Sequence, residues 1–176
     1  GLQESLFNAR KKGVLVVAAS GINRNDGTGN DNLTNNKQYP ICSDFEDLPA
    51  GRQGSENWIL GVSSVGKNDK LSDFTNFGIC IDITAPGEYI YSTQRYAPLY
   101  GYSKNFDGPW FGSSFSAPLV AGAAALVKSV RPDWKAKEII LDLLATVDDI
   151  DGLNPGYAGQ SGYGRLNVGR AVARAI

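Results

Sequence analysis

From Phe111 to Val127 the chain carries no charge, and the first charged residue after it is Lys128. The stretch opens with small hydroxyl-bearing residues around Gly112 and continues as an unbroken run of small apolar ones. Ala and Leu propagate a helix well, and Pro118 near the front fits a first turn, where a missing N–H costs nothing. The pattern predicts a helix from Ser114 to about Val130. Being apolar on every face, it belongs in a core. Ser114 then stands where a glycine-containing turn enters the helix, and where backbone N–H groups and the positive end of the dipole gather. An oxyanion forming on an attacked carbonyl is stabilised at such a place. Most serines before helices, however, only cap them.

The remaining apolar positions fall into shorter blocks. Leu2 to Lys12 has helical spacing and ends in Arg10-Lys11-Lys12 and Gly13, which are helix stop signals. Val14 to Ala19 is continuously apolar and predicts a strand buried on both faces. A helix feeding such a strand implies a doubly wound α/β sheet, whose ligands bind beyond the carboxyl ends of the strands. Ser20-Gly21-Ile22-Asn23 lies at such an end. Trp58 to Val65 is the next strand, and Ile79 to Thr84 a short one stopped by Pro86-Gly87. Between Lys135 and Thr146, Ile139, Ile140, Leu143 and Leu144 form an amphipathic stripe, and Gly169 to Ile176 is a final helix.

Two polar regions interrupt this order. Asn23 to Gln38 is rich in Asn, Asp and Gly and predicts a surface loop. Its Gly27 to Asp31 slightly resembles a calcium-binding turn, but without the regular carboxylate spacing of a calcium loop, so a plain loop is the better reading. Gln94 to Trp110 spaces five aromatics (Tyr96, Tyr100, Tyr102, Phe106, Trp110) between polar residues. The expectation is a loop packed over the core, with a wall of a substrate cleft as the alternative.

Composition narrows the function. At 176 residues the chain is long enough for one domain with a core. A net charge of -1 argues against a nucleic-acid or anionic-membrane partner, both of which need a basic surface. No apolar run reaches membrane-spanning length and no signal peptide stands at the front. Residue 1 opens straight into a helical pattern, which predicts a chain that begins inside a larger protein. Cys42 and Cys80 fit one disulfide in a secreted protein or two unrelated thiols. The decisive count is zero histidines. A hydroxyl nucleophile needs a base, most often His. Either the chain is not a complete hydrolase, or its base lies on another polypeptide or segment.

Gly112-Ser113-Ser114-Phe115-Ser116-Ala117-Pro118-Leu119-Val120-Ala121-Gly122 resembles the nucleophile motif of the subtilisin-like serine proteases, Gly-Thr-Ser-Met-Ala-Ala/Ser-Pro-His-Val-Ala-Gly. The resemblance extends from about Gly13 to the end. It includes Tyr39-Pro40, Cys80 to Gly87 against Val-Asp-Ile-Ala-Ala-Pro-Gly, and Arg131-Pro132-Asp133-Trp134. The closing Gly162-Tyr163-Gly164-Arg165-Leu166-Asn167-Val168 also fits. Cys42 to Asn57 reads as an insertion.

The resemblance implies a three-layer α/β fold with a mostly parallel sheet flanked by helices, of which residues 1–176 are the C-terminal part. It implies a serine endopeptidase acting on protein or peptide substrates by an acyl-enzyme mechanism, with Ser114 as nucleophile. The His and Asp would come from an N-terminal part of the same domain. No cofactor is implied as required, and calcium remains open. Ala18, Ala19, Ser20 and Gly21 would line the substrate pocket. The family's oxyanion Asn follows its Ala-Ala-Gly directly, but here Ile22 intervenes, so Asn23 takes the role only if the turn holds an extra residue. Asp82 matches a structural Asp of the family. In some secreted members a disulfide joins the regions holding Cys42 and Cys80, which fits an extracellular protein. The competing reading is an inactive member kept as a binding or structural module.

Overall fold

The computed structural model describes residues 1–22, 32–43 and 58–176. In chain order the elements are α1 (Leu2–Lys11), β1 (Val16–Ala19), β2 (Ile59–Val65), β3 (Ile83–Pro86), β4 (Ile90–Thr93), β5 (Phe106–Trp110), α2 (Ser113–Val130), α3 (Ala136–Ala145) and α4 (Val168–Ala175). Strands β1, β2 and β3 form a parallel sheet in that order, with Val16 beside Ile59 and Val62 beside Ile83.

Strand β2 is buried along its whole length because both its faces are covered. The pleat sends Leu60 and Val62 to the face shared with Ile83, Ala85, Val120, Val127 and Leu143, beneath α2, α3 and α4. Ile59 faces the other way, into a second cluster with Leu33, Ile41, Trp58 and Ile81, against which Leu6 of α1 packs. The result is the expected α/β layering of a parallel sheet flanked by helices. Gly61 has its place for a steric reason: a Cβ there would run into the Cys80 carbonyl. Cys80 is disulfide-bonded to Cys42. Asp82 is buried and accepts the Gly61 N–H at 2.6 Å, which makes it structural, as the family resemblance implied.

The C-terminal motif closes the sheet. Leu166 donates its N–H to the Thr84 carbonyl at 2.8 Å, and the Thr84 N–H reaches the Gly164 carbonyl at 2.9 Å. Arg165 then bridges two carboxylates, with Nε 2.9 Å from Asp69 Oδ1 and Nη2 2.7 Å from Asp148 Oδ2.

The structure corrects several expectations. The third strand begins at Ile83 rather than Ile79, because Ile81 N–H closes a turn onto the Gly78 carbonyl. Gln94 to Trp110 is not a loop packed over the core. Its last residues form β5, antiparallel to β4, and Tyr96, Tyr100, Tyr102, Phe106 and Trp110 are all exposed. Helix α2 starts at Ser113, which puts Pro118 in its second turn rather than its first. It buries Ser116, Val120, Ala123, Ala124 and Val127, but Leu119, Leu126 and Val130 are exposed. At 18 residues it is long and apolar enough to cross a bilayer by length and composition, contrary to the sequence expectation. Its packing against all three parallel strands is that of a core helix. The Gly27–Asp31 turn and most of the inserted segment lie outside the described residues.

Candidate active site

The carboxyl ends of β1 and β3 converge on the first turn of α2. Ser20 extends the ladder beyond β1 by donating its N–H to the Val62 carbonyl at 2.8 Å, and Gly21 then turns the chain at φ +85°. From the other side, β3 ends at Pro86 and Gly87. The Gly112 N–H donates to the Gly87 carbonyl at 2.9 Å, and Ser116 Oγ to the Pro86 carbonyl at 3.1 Å. Gly112 itself needs a backbone at φ +143°, which glycine adopts readily. Gly87 permits the approach: a Cβ on it would strike Ser64 Oγ and stand 2.5 Å from Ser116 Oγ and 2.8 Å from the Gly112 carbonyl oxygen.

Within this junction Ser113 and Ser114 face opposite ways. Ser113 is fully buried and donates from Oγ to the Gly21 carbonyl at 3.0 Å. Ser114 is exposed at the second residue of the helix. A backbone N–H at that position has no intrahelical acceptor, and no acidic side chain occupies the first turn to neutralise the dipole. Pro118 lacks the N–H that would bond the Ser114 carbonyl four residues back. Through Ser113 the start of α2, which carries Ser114, is joined to Gly21, and the chain runs back from there through Ser20 to Ala18 and Ala19 of β1.

Ile22 stands beside the same turn. It is exposed, and its Cγ2 lies 3.7 Å from where a Cβ on Gly112 would be. Asn23 lies outside the described residues. The aromatic side chains form a rim: Trp110 stacks on Phe115 with centroids 6.3 Å apart, and Phe111 meets Tyr89 edge-on at 4.7 Å and Phe74 at 6.5 Å. Among the described residues no group of three or more His, Cys, Asp or Glu is placed to hold a metal ion.

Sequence reasoning did not single out Asn76, Thr75 or Ser113 as supports of the turn after β1. The available signal was the polar character of Ser72, Thr75 and Asn76 within one short stretch, all three of which prove buried.

The class the fold defines is a parallel α/β sheet whose strand ends meet the N-terminus of a helix bearing an exposed serine. Residues 1–164 match the peptidase S8 domain of the Subtilase family, and the chain belongs to that family. It is 39% identical over 132 residues to the major intracellular serine protease of Bacillus subtilis (strain 168), covering 75% of this chain and 34% of that protein. With subtilisin Savinase of Lederbergia lenta it shares 31% identity over 156 residues, 87% of this chain and 46% of that protein. A solved protease from Pseudoalteromonas arctica PAMC 21717 superposes with a TM-score of 0.71 at 26% identity, over 99% of this chain and 46% of that one. The chain therefore spans less than half the length of each of these relatives.

Proposed function

We propose that this chain is the nucleophile-bearing, C-terminal part of one subtilisin-like peptidase domain, and that the assembled domain is a serine endopeptidase. The observation that carries the reading is the exposed Ser114 at the start of α2, next to the Ser20–Gly21 turn. Ser114 Oγ attacks the peptide carbonyl, and a His outside these residues takes its proton. An Asp orients that His. The oxyanion settles against the Ser114 backbone N–H and a donor from the turn after β1, the role assigned to Asn23. Ala18 to Gly21 line one side of the peptide-binding cleft, and the Trp110–Phe115 rim walls another.

The absence of histidine makes a second segment carrying base and carboxylate a requirement of this reading. Two surfaces suit it. One is the edge of β1 that pairs with no other strand among the described residues. The other is the exposed face of α2, where Leu119, Gly122, Ala125 and Leu126 recur at helical spacing. Calcium has no role in the proposal. The Cys42–Cys80 disulfide favours an oxidising, extracellular setting, although one relative is named an intracellular protease.

The test is covalent labelling of the intact protein with a fluorophosphonate probe. Ser114 is labelled, and labelling disappears in Ser114→Ala. Resistance of the assembled protein to the probe at every pH would instead favour the inactive binding module. Ile22 supports that second reading, because it sets an apolar side chain beside the nucleophile turn.

A further inference from the structure

Residues 94–105, between β4 and β5, take no part in the proposed chemistry, yet they prolong the ribbon instead of forming a slack loop. Ser92 pairs with Asp107 and Thr93 with Phe106. The same register continues outward. The Gln94 N–H donates to the Asn105 carbonyl at 2.7 Å, and Ala97 and Tyr102 exchange both backbone hydrogen bonds, at 2.8 and 3.2 Å. A short helical turn, Pro98–Tyr100, closes the tip. At about 3.3 Å per residue, that tip stands roughly 25 Å along the ribbon from the Ile90–Trp110 pair at its foot.

The arm carries apolar surface that the described fold leaves in water. Leu99 is 98% exposed and Tyr100 74%, with Tyr96 and Tyr102 exposed beside them. Clustered surface of this kind marks an interaction site. Tyrosine suits one, because it offers a large contact area at a small cost in side-chain entropy.

Charge narrows the partner. Between Glu88 and Asp107 there is no acidic residue. The register sets Arg95 across from Lys104, where like charges repel. The Arg95 guanidinium lies 5.7 Å from the Tyr100 ring centroid, which joins the positive charge to the aromatic surface. A partner that combines carboxylates with apolar side chains answers both features, whereas a neutral glycan would leave the two cations unanswered.

Continuity with the candidate site indicates what brings those groups. From Trp110 the chain runs through Phe111 and Gly112 into α2, and the Gly87 carbonyl ahead of β4 holds the Gly112 N–H. A polypeptide bound at Ser114 therefore lies at the foot of the ribbon, and a long one extends to the arm.

We infer that residues 94–105 form a second substrate-binding surface, which holds an apolar, acid-flanked stretch of a protein substrate away from the bond that is cut. The inference rests on Ser114 being the nucleophile. The arm touches no reacting atom. It tethers the substrate, and so lowers KM while leaving kcat unchanged. It favours unfolded chains over short peptides, since an extended hexapeptide spans at most about 20 Å and cannot occupy both Ser114 and the tip.

The experiment uses the intact protein carrying its base-bearing part, and substrates that share one cleavable hexapeptide core. One is the core alone. The others carry a segment of Phe, Leu and Glu on a flexible Gly-Ser linker, at either end of the core. Wild type cuts a tailed substrate with KM about tenfold below that of the core and the same kcat. Leu99→Ser with Tyr100→Ser removes this gain and keeps kcat and KM for the core within about twofold. Arg95→Glu with Lys104→Glu removes it too, and a tail with Lys in place of Glu restores it, a rescue that a merely structural role would not give. Should the serine variant fail to fold in a thermal melt, the charge-reversed pair decides alone.

Equal KM for core and tailed substrates in the wild type overturns the inference. So does a loss in the variants that falls equally on both. A wild-type dimer that the serine variant dissociates with no change in KM also overturns it, by making the arm a contact between copies. Fluorophosphonate labelling distinguishes the failures. A wild type labelled at Ser114 but indifferent to the tail sinks the arm alone, and an unlabelled wild type removes the protease reading and the arm's role with it.

Discussion

Gly87 is the residue on which the approach of β3 to the start of α2 depends. Its carbonyl holds Gly112, while the space a side chain would need is filled by Ser64 Oγ, Ser116 Oγ and the Gly112 carbonyl. Backbone cannot yield as a flexible side chain can, so Gly87→Ala pushes the start of α2 away from the strand ends. Overpacking of this kind costs about 1–3 kcal/mol. The expected outcome is a melting midpoint lowered by several degrees and a rate of Ser114 labelling reduced at least about tenfold. Unchanged labelling would mean that the turn is set elsewhere. At this scale Pro86-Gly87 was legible as a strand stop. Its role as a docking surface was not, since the contact spans residues remote in sequence.

At the scale of elements, α3 and α4 are linked by an ion pair whose acid is buried. Asp142 Oδ1 lies 3.1 Å from Arg174 Nη1, and Asp142 Oδ2 is buried with no hydrogen-bond partner. Burial raises the Asp142 pKa above the ordinary carboxylate value, and the half-exposed Arg174 offsets that only partly. The sign follows from linkage. With its pKa raised in the folded state, the native protein binds the proton more tightly than the unfolded chain. The stability this contributes is fully present below the ordinary carboxylate value and is lost as pH rises through the folded one. Asp142→Asn removes that dependence while keeping an acceptor for Arg174. The melting midpoint of the wild type relative to Asp142→Asn should therefore fall as pH is raised from about 4 toward 7. A constant difference across that range would place the carboxyl at its ordinary value.

The elements also show where periodicity succeeded and failed. The blocks Leu2–Lys12, Val14–Ala19, Trp58–Val65 and Lys135–Thr146 emerged as α1, β1, β2 and α3 with ends shifted by a residue or two. Their apolar spacing has one structural solution. The β4–β5 pairing was missed because its aromatics are exposed, so no core face marks the strands. The reading of α2 as buried all round failed for the opposite reason. An apolar sequence records what a face needs, and here Leu119 and Leu126 stand exposed.

For the whole molecule, that exposed helix face and the edge of β1, unpaired among the described residues, belong to one physical problem. An unpaired strand edge presents backbone groups that pair with other chains, and uncovered apolar surface drives association. Residues 1–176 expressed alone should therefore self-associate and show no hydrolytic activity. Sedimentation velocity and a thermal melt check this, and a monomeric preparation that melts cooperatively contradicts it.

By itself the sequence determined the α/β class, the helix that begins around Ser114, and the absence of an internal histidine base. Each is written in composition or in local spacing, and the family motifs placed Ser114 first among the candidates. Only the tertiary structure decided which serine is buried and which exposed, that Gly87 and Gly21 both accept hydrogen bonds from the start of α2, and that Asn76 and Ser113 hold the turn after β1. Ser113 and Gly21 are 92 positions apart, and Asn76 and Ser20 are 56 apart. Pairings at that range arise from the packing of strand ends against a helix, which no local pattern encodes.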